Sequence, residues 1–112
     1  MEMIQKKRNE CANLVRISSR KINEIRFGEN EGFLHKLTKQ KICEQLKKEN
    51  KHYICEAIFN NGNRTDILVL DDFRAIEIAV SETDASLKRK GNIYPNQLKL
   101  EVIRYGNERS RL

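Results

Sequence analysis

The sequence predicts a single α/β domain, and three observations carry that expectation. Apolar residues recur at helical spacing over residues 29–48. Two β-prone runs then alternate around the tight turn Asp71-Asp72, and Ser81-Glu-Thr-Asp84 has the form of a capping box that opens a second helix. With 112 residues the chain has room for one modest core and not for two.

Residues 1–28 read as an N-terminal extension. A polar helix over residues 1–15 would carry Ile4, Cys11, Leu14 and Val15, and the loose alternation of Val15, Ile17, Ile22 and Ile25 suggests a strand or strand pair. Its cations Lys6, Lys7, Arg8, Arg16, Arg20 and Lys21 suit phosphates, but a solvated face is the simpler reading. After Gly28 the helical pattern begins. With Leu34 as origin of a helical wheel, Leu37, Ile42 and Leu46 share one broad half and Lys36, Lys39, Lys47 and Lys48 lie towards the other. Glu31 and His35, four residues apart, fall on one edge bordering the apolar stripe.

Residues 53–59 form the next strand, in which Ile54, Glu56 and Ile58 should share a face, followed by the turn cluster Asn60-Asn-Gly-Asn63. Residues 66–70 and 74–81 make a hairpin whose Asp71-Asp72 carboxylates suit turn backbone. In its second strand Ile76, Ile78 and Val80 face one way, to be covered by a helix. Ala75, Glu77, Ala79 and Ser81 face the other, where small residues around one glutamate leave space. The helix announced at Ser81 runs through Ala85, Leu87 and Lys88-Arg-Lys90 to Gly91, and after Tyr94-Pro95 a last strand spans residues 98–105. Residues 106–112 form a polar tail.

Composition narrows the function classes. Charged residues make up 34%, with one proline, which fits a globular, highly charged domain rather than a disordered one. No apolar run approaches the roughly 20 residues that span a bilayer and no signal-peptide core follows Met1, so a cytoplasmic protein without membrane contact is expected. Cys11, Cys43 and Cys55 are odd in number and lack Cys-x-x-Cys spacing, so they read as small buried hydrophobes. A net charge of +6 favours polyanionic partners, although the acids are interspersed among the bases.

Element order after residue 28, together with Thr65-Asp66 eleven residues before Glu77 and the upstream Glu31–His35 edge, resembles the PD-(D/E)XK nuclease superfamily. That superfamily shares a restriction-endonuclease-like αβββαβ core with Holliday junction resolvases and many phage and plasmid nucleases. The resemblance covers residues 29–105 and implies a central mixed sheet flanked by helices. It also implies a metal-dependent hydrolysis of DNA phosphodiester bonds inside the cell, including the host cell of a mobile element, by a homodimer presenting two sites to two strands. Asp66 and Glu77 would hold Mg²⁺ or Mn²⁺, with Glu31 as a further ligand and His35 as an outer contact; such a cation neutralises phosphate oxygen and activates water. The family's usual lysine, two residues after the second acid, is here Ala79. Lys88 or Lys90 on the second helix, or Lys36 or Lys39 on the first, would have to replace it, and Lys36, Lys39, Lys88, Arg89 and Lys90 are the expected phosphate contacts. Ala79 also motivates a second expectation, a catalytically inactive nuclease-like module for nucleic-acid binding or assembly.

Overall fold

Local signals set the boundaries of the first core helix differently from its hydrophobic pattern. The computed structural model describes residues 3–79, 88–89 and 93–104. In it the helix α2 spans Phe33–Lys48 with Gly32 at its N-cap, and so starts later than the residue-29 start expected from the pattern. Lys47 and Lys48 in its last turn favour the negative end of the helix dipole, and Asn50, at φ 59°, takes the left-handed conformation that ends it. An N-terminal helix, α1, spans Met3–Ala12.

Four strands follow: β1 (Tyr53–Ile58), β2 (Arg64–Val69), β3 (Arg74–Ala79) and β4 (Lys99–Arg104). They form one mixed sheet in sequence order, β1 and β3 antiparallel to β2 and β4 parallel to β3. A parallel neighbour requires a crossover connection, and the helical, exposed Lys88 and Arg89 lie within it. The anticipated cap Ser81–Asp84, with Ala85, Leu87, Lys90 and the residue 106–112 tail, lies outside the described residues.

Alternation sorts the strand side chains to two faces. Tyr53, Cys55, Ile67, Val69, Ile76 and Ile78 pack with Cys43 and Leu46 of α2. That is the helix-covered face anticipated for Ile76 and Ile78. On the opposite face Ile54, Leu68 and Ala75 join Cys11, Val15, Phe59 and Tyr94, with Ala12 of α1 alongside. Each fully buried aliphatic side chain contributes about 1.5–3 kcal/mol. All three cysteines are buried and free, as small hydrophobes should be.

The segment after α1 closes the outer edge of β1. Isolated bridges pair Val15 with Phe59 and Ile22 with Ile54, and Arg16 N–H donates to Ile58 O. The strand anticipated near residues 14–27 is thus two single bridges flanking a 3₁₀ turn at Ile17–Ser19. Covering the edge removes a pairing template for other chains. Arg8 ties α1 to the β2–β3 turn, donating from Nε and Nη2 to the Asp71 carboxylate at 3.0 and 2.9 Å.

Candidate functional site

The sheet is interrupted at one place, and the candidate residues gather there. The β2–β3 ladder pairs Val69 with Arg74, Leu68 with Ala75 and Ile67 with Ile76, then stops short of Asp66 and Glu77. Side chains replace the missing rungs: Ile78 N–H donates to Asp66 Oδ2 at 2.8 Å and Thr65 Oγ1 donates to Ile76 O at 3.2 Å. On the other side of β2, the β1 ladder skips Glu56, whose φ of 53° is left-handed. That conformation costs a non-glycine residue about 1–2 kcal/mol. Buried Ser19 satisfies the irregular backbone, its hydroxyl donating to Glu56 O and accepting from Ile58 N–H.

The left-handed Glu56 corrects the anticipated pattern of β1. Ile54 points to the α1 side, whereas Glu56 turns towards α2, where Lys39 Nζ donates to its Oε2 at 2.8 Å. Lys39 itself is the second correction. Placed towards solvent by a wheel anchored on Leu34, it is wholly buried, whereas Leu34 and Leu37 are exposed. The buried stripe of α2 runs through Lys39, Cys43 and Leu46, and His35 borders it. All three Lys39 N–H donors are matched: Glu31 Oε2 at 2.6 Å, Glu56 Oε2 at 2.8 Å and Arg26 O at 3.1 Å. Lys39 is therefore not a surface contact for phosphate.

Glu31, which precedes α2 instead of lying within it, is fully engaged. Its Oε1 meets His35 Nδ1 at 2.7 Å, and its Oε2 accepts from Lys39 and from Gly28 N–H. Gly28 fits because a Cβ there would come within 3.1–3.2 Å of the Glu56 and Glu31 carboxylates. With Nδ1 facing Glu31, the His35 ring presents Nε2 to Asp66 Oδ2 at 3.5 Å. The expected helix edge therefore does reach Asp66.

Glu77 occupies the α1-side face with Ala75, as β3 alternation requires, and is buried. The space left by its small neighbours is partly filled by Tyr94, whose hydroxyl hydrogen-bonds Glu77 Oε2 and Arg64 O and whose ring packs on Phe59 with centroids 5.4 Å apart. Sequence reasoning named Tyr94-Pro95 only as the point before the last strand and gave Tyr94 no role at the site. Its position just before a parallel strand was the available signal, and its partner is remote in sequence. Of the other expected cations, Lys36 lies on the exposed side of α2, and Lys88 and Arg89 are exposed.

Electrostatics separates the carboxylates. Burial, then the charge of Glu77, pushes the Asp66 carboxyl up to about 6 against the opposing Ile78 N–H, His35 and Lys39. Burial also acts to raise Glu31, but the Gly28 N–H, Lys39 and His35 outweigh it and hold the group below the usual carboxylate range. For Lys39 burial is the largest influence and favours the neutral form, yet Glu31 and Glu56 together raise it. Burial and Glu77 both keep the Tyr94 hydroxyl protonated.

Among the described residues no group of three or more His, Cys, Asp or Glu side chains is arranged to hold a metal ion. Mg²⁺ needs only one or two carboxylates, its other positions going to water and phosphate, so Asp66 with Glu77 still matches that requirement. The upward shift of Asp66 comes first from burial and then from the charge of Glu77, and a bound divalent cation would offset both. Glu31 does not fit as a third ligand while Lys39, His35 and Gly28 occupy both its oxygens. An open cleft of about 380 Å³ reaches Asp66, bordered by Gly28, Glu31, His35, Glu56 and Arg64 as well, while Glu77 is buried and not part of the border. No described helix is long and apolar enough to cross a membrane. No family model matches the chain, and searches of curated proteins and of solved structures return no significant relative.

Proposed function

We propose that this chain is a metal-dependent nuclease that hydrolyses DNA phosphodiester bonds on a PD-(D/E)XK-type core. The observation that carries the reading is that Asp66 and Glu77 both lie just past the last rung of the β2–β3 ladder, near enough for the charge of Glu77 to act on Asp66, with Asp66 bordering an open cleft. The strand arrangement supports it, with β2 antiparallel to both neighbours and β4 returning parallel to β3.

Asp66 and Glu77 would hold Mg²⁺ or Mn²⁺, which when bound neutralises a nonbridging phosphate oxygen and acidifies a water. Ile78 N–H fixes the Asp66 carboxylate, and the Tyr94 hydroxyl fixes Glu77. Glu31 holds the His35 ring so that Nε2 faces Asp66, within reach of a group bound there. Lys39 supplies positive charge beside the cluster but, with all three donors matched, it acts by positioning Glu31 and Glu56 rather than by orienting water. The test is cleavage of plasmid, single-stranded and branched DNA with Mg²⁺ or Mn²⁺. Cutting should need the metal and be lost in Asp66→Ala and Glu77→Ala; cutting that survives both substitutions refutes the assignment.

One observation favours a second reading, a nuclease-like module that binds nucleic acid or assembles without cutting. Ala79, where the family lysine would stand, is fully buried. On this reading DNA binding weakens steeply with salt and is indifferent to metal and to Glu77→Gln. Metal-stimulated cutting eliminates it.

A further inference from the structure

The first turns of α2 expose apolar side chains that the carboxylate site does not use. At the start of α2, Phe33 is 76% exposed, and Leu34 and Leu37 are exposed with it. Phe27 is 42% exposed, with the Lys36 ammonium 5.8 Å from its ring centroid and that of Lys39 at 5.7 Å. Phe33 stands one helical turn before Lys36, so it neighbours the cation that lies over Phe27.

Cations interleave with the rings. Arg26 and Lys36 are exposed, and the Arg64 side chain is 60% exposed with its Nη1 3.5 Å from Glu56 Oε1. A hollow of about 270 Å³ bordered by Arg26 and Phe27 shares Gly28, Glu29, Glu56 and Arg64 with the larger cleft that reaches Asp66. Glu29 is the exposed carboxylate on both borders.

We propose that this rim is a binding platform for unpaired nucleotides, in which Phe33 and Phe27 stack bases and Arg26, Lys36 and Arg64 contact the phosphates of a strand entering the cleft. The proposal rests on the nuclease reading and specifies its substrate class as single-stranded nucleic acid or a single-stranded segment of a larger structure. An exposed ring needs an exposed base face, which a duplex hides within its stack. Rings alternating with cations beside a groove are the arrangement by which single strands are held, with each base stack contributing through a sequence-tolerant π-face. A protein partner would find the same apolar side chains, but the cations among them match a polyanion.

The experiment is fluorescence anisotropy of a short labelled oligothymidylate and of a hairpin duplex, in EDTA so that nothing is cut. The single strand should bind more tightly than the duplex. Phe33→Ala should weaken the single strand about tenfold and Phe33→Leu nearly as much, while Phe33→Tyr retains binding and duplex binding stays unchanged. Phe33 is exposed enough that its variants should fold, which a thermal melt verifies. Equal affinity for strand and duplex, or single-strand binding unaffected by Phe33→Ala, overturns the proposal. So does a Phe33→Ala effect confined to the sedimentation behaviour of the free protein, which would mark the patch as a contact between copies. Phe33-dependent binding without metal-dependent cutting would sink the nuclease reading alone, and Asp66-dependent cutting without a Phe33 effect would sink this inference alone.

Discussion

Replacing the buried lysine by an apolar side chain of similar length, Lys39→Met, should be among the most damaging single changes available to this fold. Lys39 is fully buried and donates to two carboxylates and a carbonyl. Without it Glu31 keeps His35 and Gly28 N–H, but among the described residues Glu56 retains only Arg64 at 3.5 Å, from a side chain that is mostly in solvent. Stranding a buried charge by removing its partner costs about 3–5 kcal/mol, and the partners left to Glu31 place the expected loss near 3–4 kcal/mol. A domain of this length has a total stability of roughly 6–17 kcal/mol, so the variant should fold but sit far down its urea curve. The sign with pH follows from the two shifts. Lys39 is raised, so its contribution is present below the unfolded value near 10.4 and is lost as pH rises through the folded value. Glu31 is lowered, so its contribution is present above the unfolded value near 4.3 and is lost as pH falls through the folded value. Urea unfolding should therefore show the full cost of Lys39→Met at pH 7 and a shrinking one only as pH falls below the ordinary carboxylate range. Combining it with Glu31→Gln and Glu56→Gln should recover most of the loss. A cost below about 1 kcal/mol at pH 7, a cost that does not shrink even in strong acid, or a triple variant no better than the single one would refute the reasoning.

Two further outcomes follow from the other charged groups. Asp66 has a raised folded pKa, about 6 against about 3.9 unfolded, so its ionised form destabilises the fold above pH 6 and wild-type stability grows as pH falls towards 4. Asp66→Asn, which keeps an acceptor for Ile78 N–H, should stabilise the protein by about 2–3 kcal/mol at pH 8 in EDTA. That gain should close below about pH 5 or when Mg²⁺ is added to the wild type; urea curves with and without metal read both effects. For Asp71 burial acts to raise the carboxyl, but the Arg8 hydrogen bonds, His52 N–H and the Arg8 charge carry it below the usual range. Its contribution is present above about 3.9 and lost as pH falls through the folded value, so Arg8→Ala should cost about 2 kcal/mol at pH 7 and almost nothing in strong acid, read by urea unfolding.

The hairpin was the most legible part of the chain because its information is local. Period-two alternation in Arg74–Ala79 and two turn carboxylates specify which side chains α2 covers, and the register that follows brings Asp66 towards Glu77. The first core helix was legible as a helix but not in its orientation. Leu34 and Leu37 imitate a buried stripe although they are exposed, while Lys39 is buried because Glu31 and, seventeen residues downstream, Glu56 accept from it. Nothing local announces that Glu56 adopts a left-handed conformation and reverses the face it points to. Ser19 compensating the β1 irregularity and Tyr94 meeting Glu77 are likewise partnerships across long separations, visible only once the sheet is assembled.

The most direct test of the account is an anomalous difference map from a crystal of the intact protein soaked in Mn²⁺. The account predicts a peak bound by both Asp66 and Glu77 in the wild type, lost in Asp66→Asn. A map with no peak at that pair, or a wild-type peak that persists unchanged in Asp66→Asn, would contradict it.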